Sequence, residues 1–197
     1  MDDPLLREQT PAEYFKGLIE SALERQHLRA TELTSYYLVD LLCRFMRPDR
    51  RIPFNDDSSA PLALRLARAL ESGGMEQRAR LRNLGDFSLF TSGYFSDSLR
   101  RRVVDVDYYV SMGEYAYASL GRREEDAFGD VFAELARKFV AFSDVLSDVS
   151  ERTGTTGSAD VLRLYEKWLR SGSPRDGQRL ADRGIAPNLS IGKKFIQ

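Results

Sequence analysis

With 197 residues, 42% of them hydrophobic and 30% charged, the chain has ordinary globular usage, which excludes global disorder and a fibrous repeat and leaves room for one domain with a core of normal size. A formal net charge of -1, from 29 basic and 30 acidic residues, excludes reliance on a broad basic surface that holds phosphate backbones, so no nucleic-acid partner is expected. The single cysteine, Cys43, and the single histidine, His27, exclude an internal disulfide, a thiolate cluster and the multi-histidine sites of zinc and di-iron proteins, so neither a metal nor a cofactor is expected.

Residues 1–9 read as a loose arm with neither the basic flank nor the apolar run of a signal peptide. No window approaches the ~18 consecutive apolar residues of a membrane helix, and the expectation is a cytoplasmic protein without membrane contact. Thr10, Pro11 and Glu13 spell a helix start with a capping box, and the helix is predicted to run to about Leu28 with Phe15, Leu18, Ile19, Ala22 and Leu23 facing inward. His27 near its end suits the negative pole of the helix dipole. Thr31 caps a second helix, whose apolar set of Leu33, Tyr37, Leu38, Leu41, Leu42, Phe45 and Met46 is broad enough for a central position. Cys43 on that helix reads as an inert core residue. Residues 47–60 have loop chemistry. A third helix follows Pro61 with Leu62, Leu66 and Leu70 at steps of four, closed by Ser72-Gly73-Gly74.

The stretch from Leu81 to Leu120 concentrates aromatic residues among Gly85, Gly93 and Gly113. It reads as two helical arms, residues 75–95 and 106–120, on either side of a restart at Ser96 or Asp97. Phe128, Phe132, Leu135, Phe139, Phe142, Leu146 and Val149 then recur at alternating steps of four and three. That seam predicts one helix from Asp126 to Ser150, about 37 Å long. After a turn at 153–157, Ser158 caps a helix carrying Leu164, Tyr165 and Trp168. A last short helix begins at Ser173-Pro174 and ends with Leu180, Gly184 and Ile185 in a Schellman pattern. The apolar residues of the tail, 186–197, place it against the body.

Candidate site residues lie on the arms. Gly85, Ser88, Ser92 and Gly93 fall on one side of the first arm, where they either admit a neighbouring helix or leave space for a ligand. Asp105, Asp107 and Glu114 sit among Tyr108, Tyr109, Tyr115 and Tyr117 on the second. A carboxylate beside a phenol can do acid–base work, with Asp86 joining if the arms pack antiparallel. Asp105 and Asp107 equally suit the start of a helix. Arg100, Arg101 and Arg102 could contact an anion or an acidic partner, or form a solvated rim.

Leu84-Gly85-Asp86-Phe87-Ser88 resembles the Leu-Gly-Asp-Leu-Ser run on the distal helix of haem oxygenases, an all-helical family with an iron-binding histidine near the N-terminus. The resemblance implies haem as cofactor and His27 as its ligand. It covers this run alone: the Gly-Gly that follows in the family is Leu89-Phe90 here, and His27 stands closer to Gly85 in sequence than the family's spacing.

The expected fold is therefore all-α, a single compact bundle of about seven to nine helices across residues 1–197. The expected function is a non-catalytic protein-interaction or regulatory module, with a homodimer among its forms, because no catalytic constellation is complete and no catalytic residue can be assigned. The alternative is a small-molecule-binding protein or small enzyme, with a pocket between helices 75–95 and 106–120 lined by Gly85, Asp86, Ser88, Ser92, Asp105, Tyr109, Glu114 and Tyr117.

Overall fold

The computed structural model describes residues 10–46, 60–99, 106–122, 127–153, 164–165, 167–168, 173–182 and 185. Among these are nine helices and no strand, packed against one another as an all-α bundle. The N-terminal arm, the 47–59 loop, Arg100, Arg101, Arg102, Asp105, the 154–157 turn, Ser158, Gly184 and the tail lie outside the described residues.

Helix α1, Pro11–Arg25, opens as its cap predicts: the Glu13 N–H donates to Thr10 Oγ1 at 3.2 Å, and Glu13 Oε2 accepts from the Thr10 N–H at 2.8 Å. It ends short of Leu28 because His27 takes a left-handed conformation at φ 50°. The His27 and Leu28 N–H groups turn back to the carbonyls of Glu24 and Leu23, a Schellman ending with histidine where glycine is usual. Helix α2, Glu32–Met46, buries Tyr37, Leu38, Leu41, Leu42 and Phe45 but leaves Leu33 on the surface. Helix α3, Leu62–Glu71, buries Leu62, Leu66 and Ala69, and Leu70 is exposed. Gly74, at φ 56°, makes the sharp turn into α4, Gly74–Tyr94.

Helix α4 is the axis of the molecule. From Leu84 to Phe95 every residue along and just past it is buried, the mark of a helix enclosed on all sides. After the single turn α5, Ser96–Leu99, helix α6, Val106–Gly121, returns antiparallel along α4. Phe87 meets Tyr109, Ser88 meets Gly113 and Gly85 meets Tyr117 as one helix ascends and the other descends. Further along α4, helix α8, Phe139–Arg152, runs in the same direction as α4, joined by Ser92 Oγ to Ser143 Oγ at 3.0 Å, Ser96 Oγ to Ser147 Oγ at 2.7 Å and Ser150 Oγ to the Tyr94 carbonyl at 2.8 Å.

The long helix predicted from Asp126 to Ser150 is two helices. Helix α7, Ala127–Arg137, and helix α8, Phe139–Arg152, meet at Lys138, where the backbone leaves helical values (φ -112°, ψ 24°). The halves have different partners, since α7 packs on α6 and α2, and α8 packs on α4 and α1. One straight rod cannot follow both, so the chain bends where the partners change. The periodicity identifies the inward residues correctly apart from Phe128, which is exposed. Leu164, Tyr165 and Trp168 are helical and buried. Helix α9, Pro174–Ala181, starts with the Ser173 cap, and the Ile185 N–H reaches the Leu180 carbonyl at 3.0 Å with both side chains fully buried.

Candidate functional site

The antiparallel arms bring Asp86 and Tyr117 together. Asp86 is 1% exposed and its Oδ1 accepts from Tyr37 Oη at 2.6 Å and Tyr117 Oη at 2.7 Å, while Oδ2 accepts from Arg44 Nη1 at 2.7 Å. Arg82, one turn before Asp86, donates from Nε to Tyr37 Oη at 3.1 Å and lies over the Tyr37 ring, and Arg44 lies over the same ring. Asp40 at the surface end completes the charge balance, with its Oδ2 2.9 Å from Arg44 Nε. Burial, then the Asp86 charge, push the Tyr37 and Tyr117 phenols well above their ordinary range. For Arg44, burial opposes the charge, but Asp86 and the neighbouring groups outweigh it and hold the guanidinium ionised. The cluster pins α2, α4 and α6 to one carboxylate, whose oxygens already accept three short hydrogen bonds and face no solvent.

The remaining predicted residues divide sharply. A Cβ on Gly85 would lie 2.6 Å from Tyr117 Cε1, and one on Gly113 would lie 2.4 Å from the Phe139 ring and 2.8 Å from Ser88 Cβ, so the glycines are where helices touch. Gly93 closes in the same way on Ser143 and Leu146 of α8. Gly85, Ser88 and Ser92 thus face packed side chains. Tyr109 is buried beside Phe87 and Tyr108. Glu114 does not join them: it lies on the other side of α6. A haem set against Gly85 would need the space that the Tyr117 ring fills, and His27 is exposed at a helix end. The residues do not fit that cofactor. No group of three His, Cys, Asp or Glu side chains able to hold a metal occurs among the described residues.

A second buried carboxylate was not singled out in the sequence. Glu134 of α7 accepts through Oε2 from the Thr31 N–H, Thr31 Oγ1 and Thr34 Oγ1 at 3.1, 2.9 and 2.7 Å, and through Oε1 from Lys138 Nζ at 2.7 Å. Burial works against its charge, but Lys138, Thr34 and Thr31 together prevail and hold its pKa down to about 2. Glu134 is thereby a cap for α2 supplied from a distant helix.

The outer face of the α6–α7 hairpin is open. Ser111, Glu114, Tyr115, Ala118, Gly121 and Arg122 of α6 and its end, with Ala133, Ala136 and Arg137 of α7, line a groove of about 640 Å³. Its floor is small side chains. Tyr115 stands at the rim, 46% exposed, and Glu114 and Arg137 make no ion pair among the described residues. The sequence signal for this face was available in the Ser111, Tyr115, Ala118, Arg122 spacing, which marks one stripe of α6 with little to bury.

No known protein family, curated protein or solved structure significantly matches the chain. No helix among the described residues is long and apolar enough to cross a membrane.

Proposed function

We propose that the protein is a non-catalytic protein-interaction module whose binding face is the α6–α7 groove, and that its first partner is a second copy of itself. The observation that carries this reading is the groove itself, a row of alanines and glycine between two charged edges with an exposed tyrosine. An α-helical hairpin with an unfilled outer groove is half of a four-helix bundle, and small floor residues let a second pair of helices approach closely. The groove carries both signs of charge. A two-fold-related copy would therefore set Glu114 against Arg137 or Arg122 across the interface, and Tyr115 would supply the aromatic anchor that interfaces favour. The cytoplasm is the proposed compartment, which suits a chain with a single cysteine.

Sedimentation or light scattering over a range of concentrations tests it. A mass rising toward twice 22.4 kDa is expected, with Ala118→Arg and Ala136→Arg each returning the protein to monomer without loss of helix content. A monomer at every concentration, or a dimer indifferent to both substitutions, would overturn the reading.

A further inference from the structure

Away from the groove, Arg65 of α3, Tyr109 of α6 and Tyr165 gather round the ring of Phe87 on α4. Arg65 of α3 places its guanidinium carbon 5.2 Å from the centre of that ring. Tyr165 stacks on Phe87 with ring centres 6.5 Å apart, and Tyr108 is linked to it through Tyr109. Arg65 is half-buried, yet no carboxylate pairs with it among the described residues. Arg44 and Arg82, the other arginines held against a buried aromatic ring, both have Asp86.

The hydroxyl groups beside Arg65 are also left as donors. Tyr108 Oη accepts the Ala63 N–H at 2.9 Å, which occupies a lone pair and leaves the phenolic hydrogen with no acceptor among the described residues. Tyr165 is buried, and its hydroxyl makes no hydrogen bond among them. Helix α3 begins beside these groups with Pro61 as its cap residue, which has no side-chain acceptor, so apart from the Ala63 N–H taken by Tyr108 its positive pole faces them. Burial pulls the pKa of Arg65 down, with only the Tyr165 and Tyr108 phenols acting the other way, so its charge is not compensated locally. A guanidinium with no carboxylate and two phenolic O–H groups whose hydrogens meet no acceptor among the described residues form a set that an oxyanion completes.

We propose that Arg65, Tyr108 and Tyr165 form a binding site for a small oxyanion, the carboxylate or phosphate monoester group of a ligand, beside the ring of Phe87. The site is separate from the α6–α7 groove and does not depend on it.

Trp168, the only tryptophan in the chain, lies with its ring 6.1 Å from that of Tyr165 and reports on the site. The full chain is titrated with inorganic phosphate, acetate and benzoate at constant ionic strength against chloride, following Trp168 fluorescence. A saturable change is expected with phosphate or with the carboxylates, and which arm responds names the ligand class. Affinity should fall about tenfold or more in Arg65→Gln, the scale of one charge-assisted hydrogen bond, and less in Tyr108→Phe. Arg80→Gln, at an exposed pair with Glu76, should leave it unchanged. If R65Q does not fold, Arg65→Lys, which keeps the charge and loses the fork, and Tyr165→Phe carry the comparison. No saturable response to any of the three anions, or one that survives substitution of Arg65, would overturn the assignment.

Discussion

The two faces of α6 have opposite roles. Its inner face, Tyr109, Gly113, Ala116, Tyr117 and Leu120, is sealed against α4 and its neighbours, with glycines admitting aromatic rings to contact distance and Asp86 fastening Tyr117. Its outer face, Ser111, Glu114, Tyr115, Ala118 and Arg122, has small and charged side chains and borders open space. Polar residues alone do not mark a site. The Asp86 cluster is internal bracing, whereas the surface that can take a partner is chemically plain.

Perturbing the inner face should be costly. Asp86→Ala leaves the Arg44 charge and two phenols without their acceptor, and a loss of about 3–5 kcal/mol in urea unfolding is expected, as for a broken buried pair. A loss under about 1 kcal/mol would show that Asp86 is not the fastening. Gly85→Leu comes next: the side chain must displace Tyr117, and overpacking should cost about 1–3 kcal/mol or somewhat more. An unchanged unfolding midpoint would mean that α4 and α6 have room between them.

A smaller effect is expected from pH. The folded-state pKa of Glu134, about 2, lies below its ordinary value of 4.5, so its contribution is complete above the ordinary value and is lost as pH falls toward the folded one. Stability should fall across that interval, and Glu134→Gln should lower stability at neutral pH while flattening part of the acid slope. An identical acid slope in the variant would remove Glu134 as its source. The smallest effect belongs to the outer face, where Tyr115→Ala should change stability by no more than about 0.5 kcal/mol while weakening self-association. A large loss of stability there would erase the contrast between the faces.

Much of the fold was legible because its signals are local. The Thr10–Glu13 box, the arms at 75–95 and 106–120 and the Ser173 cap each need only neighbours in sequence, and each appears close to where it was expected. What the glycines of the arms would face was open in the sequence, because a small residue in a helix is compatible with either contact or space. The break at Lys138 was not legible, because the hydrophobic seam continues through it and only the change of partner helix bends the chain. Arg82 and Asp86 stand one helical turn apart, as do Asp40 and Arg44, and could have been paired locally. That Arg44 and Tyr37 of α2 reach Asp86 of α4 depends on tertiary placement, as does the capping of α2 by Glu134. Arg65 gave no signal of its own, since an unpaired arginine is recognised only when its surroundings are known.

The fastening of Asp86 bears on how the chain can be divided. Its three hydrogen-bonding partners come from positions 37, 44 and 117, so a piece of the chain that stops before α6 retains the carboxylate and loses one of its donors. The first half made alone therefore lacks a complete interior, and during synthesis that interior stays unfinished until the second arm has emerged.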